Sequence, residues 1–186
     1  MNLFDQNLLR QKELEETLLV LMQEIPYEKI AVKSIADKLG LARKTFYHYF
    51  PSKHACLESL LDRIIQECDL ALMTLPEEAG TAEVCAERLN FWIRHRDFLE
   101  VILRNRLEYL LIGRIMRHLL REDNTLRIRL STREVPCDED ILYYYISGQI
   151  HLILKWCREG FVCPLEEMVR KSLRLTYAPL LPPEEE

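Results

Sequence analysis

The sequence predicts an all-α protein. Only five glycines occur among 186 residues, whereas a strand-rich chain of this length needs more turn residues. Apolar residues also recur at spacings of three and four along most of the chain, which is the period of an amphipathic helix. Because 48% of the residues are apolar and 30% are charged, the chain can bury a core, and disordered or collagen-like structures are excluded.

The first three predicted helices form a small N-terminal unit. Leu14, Leu18 and Leu21 share one face of the first helix, and Pro26 ends it. A second helix is predicted near residues 33–38, and a tight turn at Gly40 leads into a third helix at about residues 42–49. Ala42 and Phe46 are expected on the inner side of this third helix, together with Tyr49 or Phe50. Its outer side is predicted to carry Arg43, Lys44, Tyr47 and His48.

The remaining helices are predicted to form a second unit. Pro51, Ser52 and Lys53 mark the start of a fourth helix, which runs to a linker at residues 75–80. Thr81 is expected to cap the next helix, and an apolar pattern continues over residues 98–120. Residues 126–136 are left irregular. A long helix is predicted from about residue 138 to Arg158 with Gly160 as its stop, and a last helix follows Pro164. The predicted domains are residues 1–52 and residues 53–186, with the fourth helix connecting them and a frayed tail at residues 179–186.

Several features predict a protein of the cytoplasm, associated with the nucleoid and without a membrane partner. The longest uncharged stretch, residues 141–154, is shorter than the roughly 20 apolar residues of a membrane-spanning helix. Six charged residues among the first sixteen leave no room for a secretory signal. The six cysteines include no Cys-x-x-Cys pair, so a disulfide framework is not expected.

The charge distribution predicts contact with phosphate. The formal net charge is −5, but residues 28–54 contain six Lys or Arg against two Asp or Glu. Two short helices joined by a tight turn, the second of them exposing basic and aromatic side chains, are typical of a helix-turn-helix. In the major groove, Arg or Lys donates to guanine, and hydroxyl groups reach bases or phosphates.

Residues 35–53 resemble the DNA-binding signature of TetR-family transcriptional regulators. The resemblance depends on the spacing of Gly40, Thr45, Tyr47, Phe50 and Lys53 and covers about the first 60 residues. It implies that Lys33 approaches DNA from the second helix and that Arg43 and Lys44 read or approach bases. It also implies contacts mainly with the DNA backbone for four residues, namely Thr45, Tyr47, His48 and Lys53. Ala31 and Val32 depart from the family pattern, which often has a phosphate-binding threonine there.

The resemblance also implies an effector pocket and a dimer interface in the second unit. The residues expected to line the pocket are Phe91, Trp92, Phe98, Tyr109, Tyr143, Tyr144 and Tyr145. The last two helices are expected to pair with those of a second copy, through Ile141, Tyr145, Gly148, Leu152, Leu165, Met168 and Leu173. The alternative for the aromatic residues is an ordinary core position.

No catalytic site, cofactor or metal is predicted. The sequence has no Gly-rich phosphate loop, no His-Glu-x-x-His motif and no cysteine beside an activating group. His54, Glu58 and Asp62 share one helix face and could meet at a metal, but this pattern is more typical of a solvated surface.

The predicted function is that of a homodimer that binds a near-palindromic operator and represses transcription until a small-molecule effector releases it. Three alternatives remain: an activator, a regulator that works through a protein partner without a small ligand, and a protein-interaction module that has lost DNA binding.

Overall fold

The computed structural model describes residues 3–121 and 139–177, and the regular elements in these ranges are all helical. The predicted all-α class is therefore confirmed. A single turn of 3-10 helix at Tyr27–Lys29 lies between the first two α-helices. The helices are α1 Leu3–Glu24, α2 Val32–Lys38, α3 Arg43–Tyr49, α4 Lys53–Met73, α5 Thr81–Arg94, α6 Arg96–Arg104, α7 Glu108–Leu119, α8 Glu139–Arg158 and α9 Leu165–Tyr177.

Helices α1 to α3 form the head of the molecule. Leu14 and Leu18 of α1, Ile35 of α2 and Phe46 of α3 are fully buried against one another and against α4. The prediction for Ala42 was wrong, because this residue is the exposed N-cap of α3 rather than part of its inner side. The chain is still extended at Ala42, so the inward face begins only at Phe46.

Helix α4 connects the head to the body, which consists of α5 to α9. Ser52 caps its N-terminus by accepting a hydrogen bond from the Ala55 amide at 3.0 Å. Toward the head, the buried Glu15 of α1 accepts hydrogen bonds from Ser59 Oγ and Arg63 Nε of α4, both at 2.6 Å. Apolar side chains from α1 to α9 form one continuous core, so the head and the body are packed together through α4.

One predicted detail of the body was wrong, and one predicted apolar pattern spans two helices. The N-cap of α5 is Gly80, not Thr81, and its amide donates to Glu83 Oε2 at 2.6 Å. The apolar pattern at residues 98–120 is divided between α6 and α7, because the chain turns at Arg106 with a φ of 55°. Apolar residues on both sides of the turn face the same core, so the pattern continues across a break in the backbone.

The ends of α8 and α9 agree with the sequence where the structure describes them. Gly160 has a φ of 69°, which suits a glycine at a helix stop, and α9 begins directly after Pro164. The predictions for residues 126–136 and for the tail at 179–186 lie outside the described residues. Within the described ranges, no helix is long and apolar enough to span a bilayer. The five cysteines described there are free thiols.

Candidate nucleic-acid interface

A glycine turn sets the angle between α2 and α3. Gly40 has a φ of 66°, a conformation that other residues rarely adopt. The Leu41 amide donates to the Ala36 carbonyl at 2.9 Å, and the Gly40 amide donates to the Asp37 carbonyl at 3.0 Å. This pair of bonds is a Schellman motif, which ends α2 and reverses the chain within four residues.

Buried aromatic rings hold α3 against the head. Phe46 is completely buried and Phe50 is 4% exposed, with their ring centroids 5.9 Å apart. Tyr49 is half-buried, so Phe50 rather than Tyr49 completes the inner side. Because the inner side of α3 is fixed in this way, the side chains on its outer face have a fixed position relative to the rest of the head.

The outer face of α3 is exposed and basic. Arg43, Lys44, Tyr47 and His48 all project into solvent, as the sequence predicted. The Arg43 guanidinium donates to the Tyr47 hydroxyl at 3.1 Å and lies beside the Tyr47 ring, 5.4 Å from its centroid. This contact orders the arginine while leaving most of its donors free for an acceptor in a groove.

Two further predicted DNA-binding residues border this face. Lys33 is exposed on the first turn of α2, and Thr45 is half-buried on α3. Ala31 is the N-cap of α2 and forms no side-chain capping bond. The threonine that the family often has at the start of this helix is therefore not replaced by another capping side chain.

The ammonium group of Lys53 binds backbone carbonyl groups of the protein itself. The ammonium donates to the carbonyl oxygens of Tyr27 at 2.6 Å, Ile30 at 2.8 Å and Glu28 at 3.4 Å. The ammonium also lies 4.2 Å from the centroid of the Tyr27 ring. Burial lowers the pKa of Lys53, and the nearby Glu28 opposes this shift. Lys53 therefore joins the start of α4 to the 3-10 turn that precedes α2.

Replacing Lys53 with methionine is expected to lower the free energy of unfolding by about 1–3 kcal/mol, since hydrogen bonds from a charged donor are lost. Urea denaturation measures this effect. We also expect weaker binding to all DNA sequences alike, because α2 loses support. A loss of DNA affinity with unchanged stability would instead show that Lys53 acts directly on phosphate.

Comparison with known proteins identifies the head. The family model "Bacterial regulatory proteins, tetR family" matches residues 16–60, which run from α1 through α3 into α4. Residues 16–60 are therefore similar to the DNA-binding domain of the TetR family. Over 72 residues the chain is 42% identical to the HTH-type transcriptional regulator EthR of Mycobacterium tuberculosis, a match that covers 39% of this chain and only 32% of EthR. The uncharacterized HTH-type transcriptional regulator YxbF of Bacillus subtilis is 24% identical over 170 residues, or 88% of this chain and 43% of YxbF.

Solved structures extend the likeness in fold to the body. A tetR-family transcriptional regulator from Streptomyces coelicolor superposes with a TM-score of 0.62 over 90% of this chain and 81% of that chain, at 19% identity. The dihydroxyacetone kinase operon activator DhaS superposes with a TM-score of 0.56 over 91% of this chain and 94% of that chain, also at 19% identity. At this identity the superpositions establish a shared fold and nothing further.

The residues expected to line a TetR effector pocket do not form one group. Phe91 and Trp92 are buried in the core with their ring centroids 5.2 Å apart, and Phe98 is also buried. Tyr145 is half-buried near Arg88. The other three tyrosines lie at the surface: Tyr109, Tyr143 and Tyr144 are 65%, 51% and 76% exposed.

The residues expected at a TetR dimer interface are partly accessible. Gly148 is exposed on α8, and four others are half-buried, namely Tyr145, Leu152, Leu165 and Leu173. Met168 is buried in the core of its own chain, and the side chain of Ile141 lies outside the described part. Leu175 on α9, which was not among the predicted interface residues, is 56% exposed.

The carboxylates of Glu58 and Asp62 on α4, which share a helix face with His54, form ion pairs with an arginine of the body. Arg114 of α7 donates through Nε to Asp62 Oδ1 and through Nη1 to Glu58 Oε1, both at 2.7 Å. His118 of α7 lies 2.6 Å from Asp69 Oδ2 of α4. In the described ranges no cluster of three potential metal ligands occurs. These contacts, which helix periodicity does not reveal, join α7 to α4 along much of its length.

Proposed function

We propose that the protein is a homodimeric transcriptional regulator that binds a near-palindromic operator through α3. The observation that carries the proposal is the exposed face of Arg43, Lys44, Tyr47 and His48 on a helix anchored by buried Phe46. A seven-residue helix offers few contacts to bases, whereas two copies related by a twofold axis double both the contacts and the length of the site. The body's exposed α8 and α9 surfaces are the proposed contact between the copies.

The basic face of α3 gives the first test of this proposal. Arg43→Ala and Lys44→Ala are each expected to weaken operator binding by about 1–3 kcal/mol, the value of a good base contact, and to relax preference at one base pair. Neither side chain supports the core, so the folded state should be retained.

Fluorescence anisotropy measures this loss, using duplexes selected from genomic fragments around the protein's own gene and scrambled duplexes of equal length. A salt series separates phosphate contacts from base contacts. Arg96→Ala is the matched control, because Arg96 is an exposed cation on α6, paired with Glu100 and outside both α3 and the proposed interface. If neither α3 variant binds more weakly than the control, α3 is not the recognition helix. If no duplex is preferred at any salt concentration, a protein-interaction module becomes the better assignment.

We further propose that the protein is a repressor and that a small molecule bound in the body releases it from DNA. The support is mechanical: α7 is bound to α4 by Arg114 and His118, and α4 is bound to α1 by Glu15 and Arg63. A body conformation that tilts α4 therefore moves the head. Half-sites one turn apart require heads about 34–36 Å apart, so a shift of a few ångströms opposes binding.

Linkage gives the test of release. A ligand that weakens operator binding must itself be bound more weakly, by the same factor, in the presence of operator. The corresponding coupling free energy is typically about 1–3 kcal/mol. Transcription in vitro from the operator then distinguishes repression from activation. Ligands that bind the body without changing operator affinity would favour a regulator that depends on a protein partner.

A further inference from the structure

Arg88 of α5 is half-buried, and its guanidinium contacts residues of α5 and α8. Its Nη2 donates to Gln149 Oε1 of α8 at 3.1 Å and lies 3.9 Å from Cys85 Sγ. Its guanidinium carbon is 5.9 Å from the centroid of the Tyr145 ring. The Nε atom is shielded from solvent and has no hydrogen-bond partner among the described residues. In those ranges, Arg88 forms no ion pair with a carboxylate, unlike Arg94 on the same helix.

The groups around Arg88 include no carboxylate, and the Tyr145 side chain also interacts with its guanidinium. Cys68 of α4 and Cys85 are buried thiols, and burial raises the pKa of Cys68 to about 12. Gln149 and Ser172 of α9 are also buried, and the Ser172 hydroxyl donates to Gln149 Oε1. Arg88 is half-buried and has no carboxylate partner in the described ranges, whereas arginines withdrawn from water are ordinarily paired. The region therefore combines a positive charge with several polar groups from four helices.

We propose that Arg88 is the anchor for a small-molecule monocarboxylate. The inference rests on the proposed function, because it assigns the chemical class of the effector that releases the protein from DNA. The Nε and Nη edge of a guanidinium matches the two oxygens of a carboxylate, and the Nε donor is the one that is unused. One guanidinium balances one negative charge, whereas a phosphate monoester would bring up to two charges into a site with a single cation.

The position of Arg88 connects this site to the switch. Cys68 lies on the face of α4 that packs on the body, close enough for the charge of Arg88 to act on its pKa. Gln149 lies on α8 and Ser172 on α9, the two helices proposed to form the dimer. A carboxylate that takes the donors of Arg88 competes with Gln149 for them. Binding there changes contacts among α4, α5, α8 and α9 at one point.

The test uses octanoate and benzoate as probes, with octanamide and benzamide as neutral controls of nearly the same shape. Calorimetry and thermal denaturation of the full chain are expected to show binding and a higher Tm for at least one carboxylate and for neither amide. Arg88→Met is expected to weaken carboxylate binding about tenfold or more, since charge-assisted hydrogen bonds are lost. The same variant should keep or raise the Tm without ligand, because an unbalanced charge is removed.

Arg94→Met is the matched control, since Arg94 is exposed on α5 and paired with Glu87 at 2.7 Å. It should retain carboxylate binding. The proposal is overturned if neither carboxylate binds better than its amide, if Arg88→Met binds as well as the parent protein, or if Arg88→Met only dissociates a dimer. That last result would place the missing counter-ion in a second copy. Carboxylate binding that depends on Arg88 but leaves operator affinity unchanged would retain the site and reject the effector-release function.

Discussion

Replacing Gly148 with glutamate is expected to produce a folded monomer that has lost most of its operator affinity. Gly148 is exposed on α8, and a Cβ atom built there meets no other atom within 4 Å. A larger side chain therefore fits the single chain, and replacing a helical glycine removes a conformational penalty of about 0.5–1 kcal/mol. In a twofold dimer through α8 and α9, the two glutamates would be buried near each other.

Sedimentation velocity measures the oligomeric state, and circular dichroism confirms that the variant is folded. Gly113→Glu is the matched control, because Gly113 is an exposed glycine of α7 with equally open surroundings and lies outside the proposed interface. The control should remain dimeric. Leu152→Glu is a poorer test, since Leu152 is half-buried against the core and its loss would destabilise the single chain as well. A Gly148→Glu protein that sediments as a dimer would place the interface elsewhere.

The head could be predicted almost completely from the sequence because local chemistry determines its geometry. Pro26 ends α1, Gly40 permits the turn after α2, and Ser52 caps α4. Each of these residues acts within a few positions of itself. The alternation of Phe46 with exposed neighbours also fixes which face of α3 is free. The sequence therefore predicted both the helices and the exposed DNA-binding candidates of α3.

The contacts that join the head to the body could not be predicted, because they connect residues far apart in the chain. Lys53 was expected at phosphate, but its carbonyl partners lie 23 to 26 positions earlier. The spacing of α5 does not distinguish Arg88 from its other charged residues, and its contact with Gln149 of α8 arises only in the folded body. Periodicity records which side of a helix is apolar, but not which polar residue of another helix lies opposite.

Asn105 is the most consequential of these unpredicted residues. Pro26 has no amide hydrogen to donate to the Met22 carbonyl near the end of α1, so that carbonyl loses its helical partner. Asn105, buried between α6 and α7, donates through Nδ2 to the Met22 carbonyl at 3.1 Å. Its Oδ1 accepts from the Tyr27 amide at 2.7 Å. One side chain of the body therefore satisfies two backbone groups of the head.

Asn105→Leu is expected to lower the free energy of unfolding by about 2–4 kcal/mol, because two backbone groups lose their partners and each buried unsatisfied group costs about 1–3 kcal/mol. Arg104→Met is the control: Arg104 donates to the neighbouring Gln23 carbonyl at 3.1 Å, but from an exposed position, so the loss should stay below about 1 kcal/mol. Urea denaturation measures both variants.

Asn105→Leu also tests whether Asn105 helps to couple effector binding in the body to operator binding by the head. Asn105 lies 78 residues from Tyr27 in the sequence and binds its amide, whereas Lys53 binds its carbonyl, so α4 and the end of α6 both contact this turn of the head. If the body moves the head through both contacts, Asn105→Leu should reduce the factor by which an effector weakens operator binding, even under conditions where the variant is fully folded. An unchanged factor in a destabilised variant would show that α4 alone transmits the shift. Unchanged stability would show that water replaces Asn105 at both backbone groups.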